Sequence, residues 1–221
     1  MLIVTLAGGI GSGKSTVAAA LAECGARLLS LDDVARDVLS PGEEAVREVG
    51  DLWPEAVREG KIDRAALARI VFDDAAALAR LNAVVHPRTW ERAQAQLASW
   101  REESLQAQSA REFVVVVELA LLAGSPYQDA YHGTIVVDAP EDVRVLRLVD
   151  SRGMDEADAR ARIASQTPAS RVRELADVVV DNGGSLEDAA RAARELWEGW
   201  LVPYAANMRE GRRVFGGDAP P

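Results

Sequence analysis

Gly8-Gly9-Ile10-Gly11-Ser12-Gly13-Lys14-Ser15 reads G-x-x-x-x-G-K-S, the spacing of a phosphate-binding loop. Both flanks agree with it. Leu2-Ile3-Val4-Thr5-Leu6-Ala7 is an apolar run of strand length. Thr16-Val17-Ala18-Ala19-Ala20-Leu21-Ala22 is an alanine-rich helix that stops near Cys24-Gly25. Strand, glycine loop, helix is the order that phosphate binding needs. Glycines let the backbone wrap so that successive N–H groups point inward, and the helix N-terminus adds partial positive charge. The pattern assigns Gly9, Ile10, Gly11, Ser12, Gly13, Lys14, Ser15 and Thr16 to the phosphates of a nucleotide. Lys14 reaches the outer phosphates and the Ser15 hydroxyl holds Mg²⁺.

The 221 residues carry 25 basic and 35 acidic side chains, a formal charge of -10. That balance argues against nucleic acid as a partner, because neutralising its phosphates needs basic surface. Positive charge must therefore be local. Lys14 and Lys61 are the two lysines, and one of them stands in the phosphate loop. Cys24 is alone, which leaves no disulfide framework and no cysteine metal cluster. No apolar run approaches the ~20 residues of a membrane span, so no membrane partner is expected. The apolar start is too short for a secretory leader, and a reducing cytoplasm is the expected compartment.

Arg27-Leu28-Leu29-Ser30-Leu31 reads as a second strand, with Asp32-Asp33 at its C-terminal end and Val34-Ala35-Arg36 opening a short helix. Ligands of open α/β sheets bind at that rim. On position alone Asp32 has two readings of equal weight, helix N-cap or catalytic acid, and Asp32 and Arg36 share a helix face. After Pro41-Gly42, residues 43–110 read as almost wholly helical, with no strand. A helix capped by Asp73 or Asp74 runs to Val85, His86-Pro87 interrupts it, and a polar helix continues from about Arg88 to Gln108. The sheet resumes with Phe113 to Leu119, where Glu118 is either a strand-end acid of the Walker-B kind or a solvated or capping glutamate. Thr134 to Asp138 and Asp177 to Asn182 are further strands, separated by arginine-rich helices over about 141–151 and 155–164. An amphipathic helix over 185–200 follows.

This alternation gives an α/β class: a three-layer P-loop NTPase or kinase fold with a parallel sheet. The expected organisation is a core of 1–40 and 111–205, a helical acceptor-binding insert of 41–110 and a flexible tail of 206–221. A helical lid spans about 141–174; its arginines either clamp phosphates on closure or form a solvated, ion-paired face. A GTPase switch needs Asn-Lys-x-Asp after a strand, whereas Lys61-Ile62-Asp63 is preceded by Gly60 and follows no strand. A mechanical ATPase shows a strand ending Asp-Glu, whereas this one ends in a single Glu118. A small-molecule kinase needs a phosphate loop, a hydroxyl-activating acid, an acceptor insert and a lid, and all four have candidates.

Taken in order, these landmarks resemble the dephospho-coenzyme A kinase family over about residues 1–200. Leu6 to Thr16 is similar to its phosphate loop, including the Gly-Gly-Ile start. Asp32 with Ala35-Arg36 falls on its Asp-x-x-Ala-Arg pattern, and Pro41-Gly42 and Val85-His86-Pro87 match its insert. Leu121-Leu122, Arg147-Leu148, Gln166-x-Pro168 and Ala176-Asp177-x-Val179-x-x-Asn182 match its later strands and lid. Departures are Ser30 where the family often has Asp, Ala120 and Gly124 around the Leu-Leu pair, Ser151 at its second lid arginine, and Val172 at a usual basic position. The resemblance implies transfer of the ATP γ-phosphoryl group to the ribose 3′-hydroxyl of dephospho-CoA, the last step of coenzyme A biosynthesis. It implies that Asp32 orients or deprotonates that hydroxyl and that Arg147 stabilises the transferring charge. It places Arg36, His86 and Glu118 with the acceptor, His86 toward the pantetheine end, and Asn182 near adenine. A nucleoside monophosphate, shikimate or gluconate kinase, or a non-kinase P-loop NTPase, is the alternative.

Overall fold

Strand β1 (Leu2–Ala7) is buried at every residue, as a parallel strand covered on both faces must be. The computed structural model describes residues 1–72, 74–106, 112–119 and 131–210. These fall into two compact units: Met1–Leu29 with the described residues after Gln106, and Ser30–Gln106. The division comes eleven residues before the boundary read at 40.

In the first unit β1 leads through the glycine loop into α1 (Lys14–Cys24), followed by β2 (Arg27–Ser30). The sheet resumes after the second unit with β5 (Val114–Glu118), β6 (Gly133–Asp138) and β7 (Val178–Asp181), giving the order β2-β5-β1-β6-β7. The pairings of β1 with β5 and β6, and of β6 with β7, are parallel, in registers such as Leu6↔Glu118, Leu6↔Ile135 and Val137↔Val180. Central β1 has β5 on one side and β6 on the other. The chain leaves β1 toward β2 and leaves β5 toward β6, so the ends of β1 and β5 form a switch point where such sheets take their ligands. Leu2, Val4, Leu6, Val17, Leu21, Val114, Ile135 and Leu196 belong to the main core.

Helices α6 (Glu141–Arg152) and α7 (Glu156–Ala164) pack together through Val145, Leu148, Ala159 and Ile163. A short α8 (Ala169–Arg173), absent from the sequence reading, precedes β7. Beyond β7, α9 (Leu186–Leu196) runs through a wide turn over Trp197–Leu201 into α10 (Val202–Arg209). Residues 206–209, expected in the tail, are thus helical; Leu201 and Ala205 bury against the main core and hold them there. The Leu121-Leu122 landmark and residues 211–221 of the tail lie outside the described residues.

The second unit comprises α2 (Leu31–Val38), α3 (Glu44–Leu52), a hairpin of β3 (Val57–Arg58) and β4 (Lys61–Ile62), α4 (Arg64–Phe72) and α5 (Ala75–Gln106). Two corrections arise here. The hairpin interrupts the wholly helical reading; its strands are two residues each, too short to leave a period-2 signal. Pro87 does not break the helix: α5 continues through it for 32 residues. A proline removes one N–H and crowds the preceding turn, but Val84, Val85, Thr89, Ala93 and Leu97 keep one stripe buried across it. Arg88 Nη1 and Thr89 Oγ1 donate to the carbonyls of Val84 and Val85, each at 2.9 Å. Ion pairs of Arg88 with Glu48 and Arg92 with Glu43 tie α5 to α3. Tertiary packing overrides the local breaker.

Candidate active site

The chain leaves β1 at Ala7 and must turn back within six residues to start α1 at Lys14. Gly11 and Gly13 do this at φ of 76° and 83°, where side chains are strained. Space forbids them as well: a Cβ on Gly13 would lie 2.0 Å from Asn182 Nδ2. Gly13 is the N-cap residue of α1, and no side chain caps the helix there. An uncapped N-terminus preceded by a wrapped loop is an anion site. Lys14 Nζ donates to the carbonyl of Leu119 at 2.8 Å, and Leu119 N–H donates to Leu6 at 3.0 Å. The phosphate-loop lysine therefore lies across the switch point between β1 and β5, beside Glu118 at the end of β5. Ser15 is exposed in the first turn of α1.

Helix α6 supplies two arginines to the outside of this loop. Arg147 donates to the carbonyls of Ser12 at 3.3 Å and Gly184 at 3.0 Å, with Nη1 3.3 Å from where a Gly13 Cβ would be. Asn182 is 3% exposed and donates to the same Ser12 carbonyl at 2.7 Å. Arg144 is 7% exposed; it donates through Nε to the Ile10 carbonyl at 2.8 Å and through Nη2 to Gln166 Oε1 at 2.9 Å. Burial lowers the pKa of Arg144, and Asp138 and Glu141 act in the opposite direction. Arg173 pairs with Asp138 at 2.6 Å, and both line, with Arg144 and Gln166, a cavity of about 600 Å³.

In the Ser30–Gln106 unit, Ser30 accepts from Asp33 N–H at 3.2 Å and is the N-cap of α2. Asp32 is the second residue of that helix and exposed, so the N-cap reading of Asp32 falls. Arg36 pairs with Asp33 at 2.7 Å rather than with Asp32; the three-residue spacing suits the short aspartate. Arg36 and His86 meet on one cavity of about 390 Å³, whose walls include Leu39, Leu67, Leu81 and Val85.

A family model described as dephospho-CoA kinase matches residues 2–188 of this chain. The chain belongs to the dephospho-CoA kinase family. A curated dephospho-CoA kinase of Thermobifida fusca is 42% identical over 200 residues, covering 90% of this chain and 96% of that one. The dephospho-CoA kinase of Mycolicibacterium paratuberculosis is 38% identical over 94% of this chain, which spans about half of that longer protein (49%). A crystal structure from Thermus thermophilus superposes with a TM-score of 0.75 at 36% identity, covering 90% of this chain and 97% of that one. The α/β class and the ATP-dependent kinase activity follow from this membership, and no helix among the described residues is long and apolar enough to cross a membrane.

The residues at the loop fit a Mg²⁺ ion held chiefly by phosphate oxygens. Mg²⁺ characteristically binds through one or two protein oxygens and substrate phosphates. Ser15 offers one hydroxyl at the mouth of the loop, and no group of three or more His, Cys, Asp or Glu gathers into a cage among the described residues. Sequence reasoning passed over two contacts. Arg144 was one of many lid arginines and Gln166 only a landmark. The available signal was position: Arg144 lies with Val145 and Leu148 on the buried stripe of α6, where a solvated arginine has no place.

Proposed function

We propose that the kinase transfers the γ-phosphoryl group of ATP to the 3′-hydroxyl of dephospho-CoA, giving CoA and ADP. One observation carries this reading. An intact phosphate loop, with Lys14 held at the β1/β5 switch point, stands in a match that covers 96% of a dephospho-CoA kinase. Lys14 and the loop amides hold the outer phosphates, and phosphoryl transfer is then mostly positioning and charge stabilisation. Ser15 would hold Mg²⁺, which when bound neutralises phosphate charge. Arg147 lies against the loop backbone at Ser12, where a cation stabilises charge on the transferring group. Asn182 and the glycines after it border the same stretch and take the adenine end.

Asp32 orients the acceptor hydroxyl and receives its proton late in transfer. Its release from capping by Ser30 supports that role. The Ser30–Gln106 unit binds the acceptor. Its cavity has an aliphatic wall and a rim of Arg36, Arg64, Asn82 and His86, which suits a flexible arm bearing amides and ending near charged groups. Glu118, at the end of β5, borders the acceptor hydroxyl in this reading, and the enzyme works in the cytoplasm.

An ADP-release assay with dephospho-CoA, nucleoside monophosphates, shikimate and gluconate tests the acceptor, run with ATP and with GTP. Turnover is expected with dephospho-CoA, with CoA as the product by mass and chromatography, and faster with ATP. Faster turnover of any other acceptor overturns the reading.

A further inference from the structure

Gly9, Ile10 and Gly11 form the tip of the phosphate loop, and all three press on one residue of α6. A Cβ on Gly9 would lie 2.5 Å from Arg144 Nη2 and 2.9 Å from Gln166 Oε1; one on Gly11 would lie 2.8 Å from the Arg144 carbonyl. Between them the Ile10 backbone is held on both sides. Its N–H donates to Gln166 Oε1 at 2.9 Å, and its carbonyl accepts from Arg144 Nε at 2.8 Å. Arg144 Nη2 donates to the same Gln166 oxygen at 2.9 Å and closes the ring. The phosphate motif itself requires Gly8, Gly13, Lys14 and Ser15. It asks for neither the glycines at 9 and 11 nor a buried guanidinium behind them.

A charged group taken out of water is tolerated when hydrogen bonds replace its hydration. Two of the hydrogen bonds of Arg144 end on the loop tip or on the glutamine that grips it, so its burial serves the loop. An arginine fork holds two partners at fixed angles, which a lysine does not. We propose that Arg144 and Gln166 are a positioning pair for the nucleotide phosphates. They fix the two peptides that flank Ile10 and with them the curvature of the loop, so that the inward N–H groups are aimed before nucleotide arrives. Preorganised dipoles of this kind need no reorganisation when charge is bound. Neither side chain touches phosphate in this role. The inference rests on the nucleotide reading of the loop given above.

Calorimetric titration of ADP and AMP into the full-length protein tests it, with melting curves for every variant. Gln166→Met keeps the length of the side chain and removes the acceptor. It is expected to weaken ADP by about 10–100-fold, the scale of loss from an ångström of misplacement. AMP, which lacks the β-phosphate that the loop grips, keeps its wild-type affinity. Gln166→Glu restores an acceptor oxygen and recovers most of the ADP affinity, a rescue that a space-filling role would not give. Gly9→Ala breaks the ring from the loop side, and added to Gln166→Met it costs little more, because both remove the same contacts. Arg144→Lys behaves as Gln166→Met does; should it fail to fold, the Gln166 series decides alone. Unchanged ADP affinity in Gln166→Met overturns the proposal. So does equal loss of ADP and AMP with a lowered melting temperature, or a Gln166→Glu variant as weak as Gln166→Met. A wild-type protein that does not bind ADP removes the nucleotide reading and the pair together; loss confined to the rescue removes the pair alone.

Discussion

The phosphate loop and the cavity of the helical unit are built on opposite terms. At the glycines of the loop there is no room for a side chain. Gly9, Gly11 and Gly13 are crowded by Arg144, Gln166 and Asn182, and backbone polar groups are held by buried side chains. The cavity in Ser30–Gln106 is about 390 Å³ of space with aliphatic walls and a charged rim. A phosphate chain is small, rigid and highly charged, so a site for it is made of fixed dipoles. An acceptor with a long flexible arm needs volume and apolar surface, with few directional contacts. A local sequence motif can specify the first kind of site, because consecutive residues build it. The second kind is specified by packing between α2, α4, α5 and the hairpin, which no short motif records.

Breaking the two regions separately should therefore give different kinetic signatures. The largest effect is expected from Asp32→Asn. On the role proposed for Asp32 it removes the charge that partners the acceptor hydroxyl, and it should lower kcat by about 10²–10⁴-fold, the range of a general base. ATP affinity and melting temperature should hold, because Ser30 keeps the cap; full activity would take Asp32 out of the mechanism. Lys14→Ala comes next, with a kcat loss of about 10²–10³-fold, typical for one preorganised charge-stabilising group. Near-normal turnover in a folded protein would break the loop assignment. His86→Ala should raise the acceptor KM by about tenfold at most, the value of one contact in a flexible-arm site, and leave the ATP KM alone. A rise in the ATP KM instead would erase the distinction between the two regions.

The smallest effect is expected on stability rather than turnover. Asp188 is held at about 2 by the Ser185 hydroxyl and N–H in the capping box of α9, with Arg191 beside it. Because its folded pKa is depressed, its stabilisation is complete at neutral pH and fades as pH falls from about 4. Asp188→Asn should melt slightly below wild type at pH 7, and the gap should close near pH 2 with kcat at pH 7 unchanged. A gap that persists at low pH would mean the cap is not electrostatic.

The parallel strands were legible because runs such as Val114-Val115-Val116-Val117 have few other uses. The loop was legible because its chemistry is contiguous. Three features were not. The β3–β4 hairpin is too short to show a period. Helix α5 passes Pro87 on the strength of contacts with α3 and of a buried stripe, neither of which is local. Arg144 and Gln166 find Ile10 from 134 and 156 residues away, and only the fold brings them there. Asp32 shows the reverse: its two readings were balanced until the neighbouring serine took one of them.

That serine has a practical consequence. Since Ser30 terminates α2 by itself, residue 32 can be altered without disturbing the helix that presents it. On the role proposed for Asp32, a loss of kcat in Asp32→Asn can then be read as lost chemistry rather than as a frayed helix.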